Sequence, residues 1–243
     1  MPGSSFKPLY YSAAISSGVI TPATILQDRP IAYRTDNGSL YTPLNFLGTW
    51  DGTVSVRTAL SNSMNVPSIE VLDRIGFDAA INRASRLLGI TDPELVRKTF
   101  PKVYPLGLGI IDVAPIRMAR AFATFANQGR EVVPIGIRYI EDRNGQILFE
   151  PEKDLRIIQD EEGDRRQILS PQAAYIMVDL LKSTVATGTL ANRRRQIGGF
   201  PMPFAGKTGT TQNWADAWTV GFTPYYTAAF WFGFDRPGQS LGT

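Results

Sequence analysis

The sequence predicts an α/β fold in which helices pack against an antiparallel sheet, and three observations support this class. Segments with apolar residues at helical spacing occupy the middle of the chain. Aromatic and β-branched runs gather near its end, in the pattern of an antiparallel meander. The 243 residues are 43% apolar, which is enough for the core of one large domain, or two small ones at most. Together these features indicate a layered domain of helices on a sheet.

Apolar spacing and capping residues define the predicted helices. A helix across residues 115–129 is the clearest, because apolar side chains recur at helical spacing and Gly129 provides a stop. Ser170-Pro171 combines a capping residue with a proline at the first helical position. The helix that Ser170 begins runs to about residue 183, and the other predicted helices span residues 4–17, 53–60, 67–75 and 77–88.

Turn-forming residues separate these helices from the predicted loops and strands. Residues 19–52 are rich in Gly, Pro, Asn and Asp and are interpreted as a long surface excursion. Residues 131–150 predict a hairpin with Asn144-Gly145 at its turn, followed by a charged, solvated segment over 151–167. Three strands of a meander are predicted around Lys207, over residues 217–223 and over residues 226–234.

The composition excludes several kinds of chemistry. The chain has no His and no Cys, which removes Ser-His-Asp and Cys-His catalysis, disulfides and most zinc sites. Proton transfer must therefore use Lys, Asp, Glu or Tyr, and we expect no metal and no cofactor. The net charge of +3 permits an anionic partner but does not indicate nucleic acid. No apolar run approaches the roughly 20 residues that span a bilayer.

The first motif places a hydroxyl and an amine together near the start of the chain. Ser4 and Lys7 are separated by three positions, so on a helix their side chains share one face. The positive end of the helix dipole at Ser4 would favour a developing alkoxide. Pro8 has no N–H to donate to the Ser4 carbonyl, which loosens the first turn. Alone, this spacing is weak, and an exposed N-terminal turn explains it more simply.

The second motif, Ser63-Met64-Asn65, lies in a predicted break between two helices, just before Val66-Pro67. From a short turn its side chains could point into a cleft. Ser and Asn also commonly cap helices at such boundaries, and capping is the stronger explanation when this motif is considered by itself.

The third motif is the run Gly-Lys-Thr-Gly-Thr-Thr over residues 206–211. It is similar to the end of a phosphate-binding loop, but position 201 is Pro where that loop needs Gly, and a strand pattern follows instead of a helix. On a strand, Lys207 and Gly209 share one face. Gly209 would leave room for the close approach of a substrate backbone.

Taken in order, Ser-x-x-Lys, Ser-x-Asn and Lys-Thr-Gly resemble the signature of the penicillin-recognising serine acyl-transfer enzymes. The segment Pro-Gly-Ser-Ser-Phe-Lys-Pro over residues 2–8 is similar to the nucleophile segment of the class A penicillin-binding proteins. Residues 206–211, 216–218 and 221–224 resemble that family's closing strands, and residues 41–45, 59–67 and 119–129 resemble its middle segments. The resemblance covers nearly the whole chain. It implies a serine β-lactamase/transpeptidase-like fold with a helical subdomain, in one transpeptidase domain over residues 1–243.

The resemblance also implies the roles of the site residues. Ser4 would be the nucleophile and Lys7 its base, with Ser63 relaying a proton, Asn65 holding the substrate amide and orienting Lys7, and Lys207 polarising the site. Backbone N–H groups of Ser4 and Thr210 would form the oxyanion hole. The catalytic set is thus Ser4, Lys7, Ser63, Asn65 and Lys207, and the substrate-binding set is Thr208, Gly209, Thr210 and Thr211.

The implied reaction is cross-linking of peptidoglycan stem peptides that end in D-Ala-D-Ala, with β-lactams as covalent inhibitors. The implied location is the outer face of the bacterial cell membrane, within a cell-wall synthesis complex and without nucleic acid. Two alternatives remain open at this point. A D,D-carboxypeptidase would use water as acceptor with the same residues, and a non-catalytic β-lactam-sensing or wall-binding module would acylate once or not at all.

The resemblance predicts that residues 1–243 are truncated at both ends. In the family, earlier strands of the same sheet precede the nucleophile segment, with a glycosyltransferase domain and a membrane anchor upstream, and a helix follows the last strand. We therefore expect an unpaired sheet edge, and poor penicillin labelling or aggregation of the isolated segment.

Overall fold

Helices and short strands alternate along the chain before a final antiparallel sheet. The computed structural model describes residues 1–196, 198–199, 201–211, 214–235 and 239–242. The α-helices are α1 (Lys7–Ser16), α2 (Val56–Ser61), α3 (Asn65–Ile75), α4 (Phe77–Leu88), α5 (Pro93–Thr99), α6 (Pro115–Ala126), α7 (Pro151–Glu162), α8 (Pro171–Ala186) and α9 (Ala191–Gln196). The strands are β1 (Ile25–Asp28), β2 (Tyr33–Arg34), β3 (Leu40–Tyr41), β4 (Gly52–Ser55), β5 (Ile140–Glu141), β6 (Ile147–Phe149), β7 (Ala205–Thr210), β8 (Asp216–Phe222) and β9 (Thr227–Gly233).

The central helix, α1, is preceded by a short 3-10 helix over Gly3–Phe6. The predicted single helix is divided here because Pro8 cannot donate to the Ser4 carbonyl, which instead accepts the N–H of Lys7 in 3-10 fashion. Every residue of α1 from Lys7 to Ile15 is buried. A helix that is buried on all sides belongs to the core, and α1 packs against α3, α4 and α8.

The sheet at the end of the chain confirms the predicted meander. Its three strands are antiparallel in the order β7-β8-β9, with Lys207 opposite Val220 and Trp218 opposite Trp231. Helix α8 packs on β7, and α6 packs on β8 and β9. The core lies between these helices and the sheet, where Phe122 and Val220 are fully buried. The class is therefore the predicted one, helices layered on an antiparallel sheet.

The predicted surface excursion over residues 19–52 contains more regular structure than expected. Strand β1 pairs with β4, and β2 pairs with β3. Because residues 52–55 belong to β4, the following helix begins at Val56 and not at Thr53. Its N-terminal cap is Ser55, whose hydroxyl accepts the N–H of Thr58.

The charged segment over 151–167 was predicted to be solvated, and no helix or strand was assigned to it. Residues 151–162 form α7, and a 3-10 helix follows over Gly163–Arg166. Helical spacing places Glu152 beside Arg156, and these side chains form an ion pair at 2.6 Å. No residue of α7 is buried. Charge therefore indicated exposure correctly, but it did not indicate the backbone conformation.

Helix α5 and the β5–β6 hairpin also differ from the sequence-based prediction. Helix α5 was not predicted, although Asp92-Pro93 supplies both a capping carboxylate and a proline at the first position. The predicted hairpin exists, but its strands β5 and β6 are only two and three residues long. None of the helices in the described part of the chain combines the length and apolar character needed to cross a membrane.

One testable consequence concerns the turn after α6. Gly129 has φ +83°, and a Cβ atom there would lie 2.1 Å from the Leu169 carbonyl oxygen. Gly129→Ala therefore adds a steric clash to the strain of a positive φ, and we expect the free energy of unfolding to fall by about 2–4 kcal/mol. Denaturant unfolding monitored by circular dichroism measures this loss.

Gly145→Ala is the matched control, since Gly145 has φ +80° but its Cβ would meet nothing within 4 Å. It should lose only the backbone contribution of about 1–2 kcal/mol. Equal losses in the two variants would contradict the role assigned to the Leu169 contact.

Candidate active site

Ser4 is the accessible member of a pair of adjacent serines. It lies on the 3-10 helix at the entrance to α1 and is partly exposed. Within the part of the chain that the structure describes, no residue hydrogen-bonds to the Ser4 hydroxyl. Ser5 differs on both counts, because it is fully buried and its hydroxyl donates to the Pro2 carbonyl at 2.8 Å. Only Ser4 therefore offers a hydroxyl that is free to react.

Lys7 lies one turn further along, at the first position of α1, and is fully buried. Its Nζ donates to the carbonyl oxygens of Ser63 at 2.7 Å and Met64 at 3.1 Å, and to Oδ1 of Asn65 at 2.8 Å. Burial, and secondarily the nearby charge of Lys207, lower the pKa of Lys7 well below its usual value. Residues 63–65, the second motif, thus supply the acceptors around the amine of Lys7, which belongs to the first motif.

The turn that supplies these acceptors joins α2 to α3. Ser63 has a positive φ of 60°, which is uncommon for a residue with a side chain and costs roughly 1–3 kcal/mol. The reversal continues through Met64, whose N–H donates to the Ala59 carbonyl at 2.9 Å, and Asn65 then begins α3. Because the chain turns back sharply here, two successive carbonyls and one amide side chain point at Lys7.

Lys207 approaches the same turn from the sheet. It is fully buried on β7, and its Nζ donates to the Ser63 hydroxyl at 2.7 Å and to the Thr208 carbonyl at 3.0 Å. Burial lowers the pKa of Lys207 to about 7. Ser63 is therefore shared by both lysines, through its carbonyl to Lys7 and through its hydroxyl to Lys207.

Gly209 allows the sheet to approach the segment that carries Ser4. A Cβ atom at position 209 would lie 2.0 Å from the Pro2 carbonyl oxygen and 3.0 Å from the Ser5 nitrogen. This space was predicted to admit a substrate backbone, but the chain's own residues 2–5 occupy it. Any side chain at position 209 would separate β7 from the 3-10 helix.

The free edge of β7 faces that helix. The Thr211 N–H donates to the Asp216 carbonyl at 3.2 Å, so alternate residues of β7 bond to β8. By this alternation Thr208 and Thr210 direct their backbone groups away from β8. The Thr208 carbonyl accordingly accepts from Lys207. Thr210 adjoins the 3-10 helix, since a Cβ on Gly3 would lie 2.7 Å from the Thr210 carbonyl oxygen.

The remaining predicted residues have partners within the protein. The Thr208 hydroxyl lies 3.0 Å from that of Thr189, and the Thr211 hydroxyl donates to Asp216 Oδ2 at 3.0 Å. The Asn65 Nδ2 group donates to the Leu44 carbonyl at 2.9 Å. The Thr211 hydroxyl is thus engaged in joining β7 to β8, whereas Thr210 is exposed at the edge of β7.

Sequence reasoning missed two contributors to this region. The Asn45 side chain accepts the N–H of Asn65 at 2.9 Å, and the Phe46 ring packs edge-on against that of Trp214 at 5.4 Å. Asn45 belongs to residues 41–45, which resemble a middle segment of the family, but no role was predicted for it. A single sequence does not show that Asn45 contacts Asn65, which lies 20 positions further along the chain. Within the described residues no cluster of Asp and Glu is suited to a metal ion, and the site's amines, hydroxyls and amides are not a typical metal-ligand set.

Helices layered on an antiparallel sheet, with paired buried lysines where the sheet edge meets the first helix, define a domain of the transpeptidase type. The chain belongs to the penicillin-binding protein transpeptidase domain family, whose family model matches residues 1–234. A transpeptidase domain of this family implies an acyltransferase, in agreement with the sequence motifs.

Known proteins give the same assignment. The chain is 36% identical over 243 residues to penicillin-binding protein 1A of Neisseria meningitidis serogroup A, covering 99% of this chain and 28% of that protein. The crystal structure of penicillin-binding protein 1A from Haemophilus influenzae superposes with a TM-score of 0.84 at 26% identity, covering 99% of this chain and 38% of that one. PonA1 of Mycobacterium tuberculosis in complex with penicillin V gives 0.78 at 26% identity, covering 98% and 61%. The chain thus spans less than a third of the length of the Neisseria relative.

The buried lysines give a testable dependence of stability on pH. With its pKa lowered to about 7, Lys207 is neutral in the folded protein above that pH, whereas the unfolded chain keeps the proton up to the ordinary value of 10.5. The unfolded state therefore binds more protons, and the free energy of unfolding rises with pH by up to about 1.4 kcal/mol per unit from this residue. Denaturant unfolding between about pH 7 and pH 9.5 measures the slope.

Lys207→Met removes this contribution, so the slope should fall relative to the unchanged protein. The matched control is Lys182→Met, which alters an exposed lysine of α8 and should leave the slope as it is. A slope that persists unchanged in Lys207→Met would contradict the charge-burial account.

Proposed function

We propose that this chain is a serine D,D-transpeptidase domain that cross-links peptidoglycan stem peptides through an acyl-enzyme on Ser4. The observation that carries the proposal is the buried Lys7–Ser63–Lys207 cluster beside an accessible serine hydroxyl. An unactivated hydroxyl is a poor nucleophile and needs a neighbouring base. With no His or Cys in the chain, a lysine of lowered pKa can serve as that base.

Lys7 would accept the Ser4 proton during acylation. As an ammonium group it donates to three acceptors. After losing one proton, the amine keeps two N–H groups for these acceptors and gains a lone pair for the Ser4 hydroxyl. Ser4 Oγ then attacks the carbonyl carbon of the D-Ala-D-Ala bond, and its proton passes to Lys7.

Backbone N–H groups would stabilise the oxyanion that forms in this attack. Thr210 directs its N–H to the free edge of β7, beside the 3-10 helix that contains Ser4. The N–H of Ser4 lies in the first turn of that helix, where helical N–H groups lack intrahelical partners. Two such donors would form the oxyanion hole, each worth roughly 3 kcal/mol in the transition state.

Ser63 would carry the proton to the leaving group. Its hydroxyl accepts from Lys207, so its own proton can point towards the nitrogen of the departing D-alanine. Cleavage of the C–N bond releases D-alanine with that proton, and the proton that Lys7 took from Ser4 replaces it on Ser63, which leaves Lys7 as the free amine. The amine of a neighbouring stem peptide then attacks the acyl-enzyme, forms the cross-link and returns the proton to Ser4.

Lys207, Thr208 and Thr210 would bind the terminal carboxylate of the donor peptide. Thr210 is exposed at the edge of β7, and a carboxylate bound there would favour the ammonium form of the buried Lys207. Gly209 keeps the strand close to Ser4. Thr211 would contribute by joining β7 to β8 through Asp216. Asn65 would hold the substrate amide with the second N–H of its Nδ2 group, since the first is donated to the Leu44 carbonyl.

The relatives support the wider context of this proposal. PonA1 from Mycobacterium tuberculosis has been solved with penicillin V bound, and we extend β-lactam binding to this chain. We further propose that it acts at the outer face of the cell membrane, as part of a longer protein with further strands of the sheet, a membrane anchor and a glycosyltransferase domain outside residues 1–243. A cell-wall synthesis complex would be its partner.

Two substitutions test the proposed nucleophile, Ser4, and its proposed base, Lys7. Ser4→Ala should abolish covalent labelling by a fluorescent penicillin, because it removes a partly exposed hydroxyl one turn from Lys7, whereas the Ser63 hydroxyl is engaged by Lys207. Lys7→Ala should also block acylation by removing the base, while circular dichroism shows a folded protein. Labelling is measured in gels and located by mass spectrometry of the labelled peptide.

Ser5→Ala is the matched control. It removes the neighbouring hydroxyl, whose bond to the Pro2 carbonyl is structural, and labelling should persist. Retained labelling in Ser4→Ala would place the nucleophile elsewhere and overturn the proposed mechanism.

An assay of the reaction products separates transpeptidation from the two alternatives, a D,D-carboxypeptidase and a non-catalytic sensing or wall-binding module. With a D-Ala-D-Ala donor and an amine acceptor, we expect a cross-linked product in excess over hydrolysed donor, measured by chromatography and mass spectrometry. Hydrolysed donor with no cross-link would indicate a D,D-carboxypeptidase. One equivalent of stable β-lactam adduct with no turnover of donor would indicate a sensing module.

A further inference from the structure

The carboxamide of Asn45 has all of its hydrogen-bonding groups engaged at the back of the Ser63–Asn65 turn. Its Oδ1 accepts the N–H groups of Asn65 at 2.9 Å and Val66 at 3.2 Å. Its Nδ2 donates to Asp28 Oδ1 at 2.7 Å and to the Thr49 carbonyl at 3.0 Å. A carboxamide can make two bonds of each kind, so no capacity is left for solvent or substrate.

Asp28 fixes the other end of this arrangement. It is fully buried at the end of β1, and within the described residues it forms no ion pair. Its Oδ1 accepts from Asn45, and its Oδ2 accepts the N–H of Asp51 at 2.8 Å. A buried carboxylate without a cation is costly unless hydrogen bonds satisfy it. These two donors therefore join both ends of the 45–51 loop to the β1–β4 pair.

The 45–51 loop and the residue just before it, Leu44, contact the Ser63–Asn65 turn. Asn45 accepts the first N–H groups of α3, and Leu44 accepts the Asn65 Nδ2 group through its carbonyl. The opposite end of the Asn65 side chain is the Oδ1 atom that accepts from Lys7. The backbone and the side chain of Asn65 are thus both held from the loop, on the side remote from Lys7.

We propose that Asn45 and Asp28 are positioning residues for acyl transfer, holding the Ser63–Asn65 turn so that its carbonyl oxygens and the Asn65 amide stay directed at the Lys7 amine. This inference rests on the proposed function, because it names the support of the same site. Neither residue contacts the reacting atoms. Their effect passes from the β1–β4 pair through the 45–51 loop to the turn.

The four hydrogen bonds of residue 45 require a side chain that both accepts and donates, as a carboxamide does. An Asp there could still accept from the two α3 N–H groups, but its second oxygen would face the Asp28 carboxylate in place of a donor. The two carboxylates would repel each other, which moves the loop or forces one to bind a proton. An Ala would leave both the α3 N–H groups and Asp28 without partners.

A reciprocal exchange provides the sharpest test. In the Asn45→Asp, Asp28→Asn double variant, residue 28 becomes the amide. Its oxygen can accept from the Asp51 N–H, and its NH2 can donate to the new carboxylate at 45. The other oxygen at 45 still accepts the α3 N–H groups, and only the bond to Thr49 is lost. The exchange therefore restores the connection that either single variant breaks.

The experiment measures the acylation rate constant for a fluorescent penicillin across a pH series, using the longer protein proposed above to contain residues 1–243 and its single and double variants. We expect Asn45→Asp and Asn45→Ala to acylate roughly 10- to 100-fold more slowly, the usual effect of misplacing reactive groups by about an ångström. The double variant should recover most of the rate. In Asn45→Ala the midpoint of the rising limb of the pH profile should move to lower pH, because fewer acceptors then hold the ammonium form of Lys7.

Asn127→Asp is the matched control, since it makes the same chemical change in an amide that donates to the Arg130 carbonyl at 3.1 Å near the end of α6. It should acylate at the unchanged rate. Unchanged rates and pH midpoints in all Asn45 variants would overturn the inference, as would a double variant no faster than Asn45→Asp. If Asn45→Ala does not fold, the acylation rates of Asn45→Asp and the double variant are sufficient to test the positioning role.

The results distinguish a failure of the positioning role from a failure of the proposed function. Should Ser4→Ala still be labelled, the nucleophile assignment falls whatever the Asn45 variants do. Should Ser4→Ala be inert while every Asn45 variant acylates normally, the proposed function stands and only the positioning role is wrong.

Discussion

The site depends on enclosing the Lys7 amine away from water. Three acceptors from one turn hold it, and a second buried lysine lies behind the same serine. Burial and the neighbouring charge both disfavour the ammonium form, while the three acceptors keep the amine in place. A buried lysine keeps both its position and its lowered pKa only if the groups around it are fixed before the substrate arrives.

Much of the architecture follows from that enclosure. The 63–65 turn must reverse sharply enough to direct successive carbonyls at one atom, which accounts for the positive φ of Ser63. Strand β7 must reach the start of α1, and Gly209 permits this approach because a Cβ would collide with the Pro2 carbonyl. The 45–51 loop supports the turn from behind. Strain and close contact at the site are thus stabilised by ordinary packing elsewhere, as with α8 on β7.

The long helices and the final sheet could be predicted because their signals are local. Apolar spacing with proline and glycine boundaries identified α4, α6 and α8, and alternating aromatic residues identified β8 and β9. Helix α7 could not be predicted in this way, because a segment with no buried residue needs no apolar stripe, and its charges indicated only that it is solvated. The β1–β4 pair was missed for a different reason, since strands paired across a long excursion depend on contacts that sequence proximity does not show.

The sequence by itself determined the order of the longer core helices and the final strands, the absence of His and Cys chemistry, and the three short motifs whose resemblance led to the correct family. Those properties are carried by residue identity and by local spacing. Only the tertiary structure decided that Ser4 and not Ser5 is accessible, that both lysines converge on Ser63, and that Asn45 lies behind the turn. Accessibility, desolvation and hydrogen-bond partners arise when distant segments pack together, and no single segment of the chain contains them.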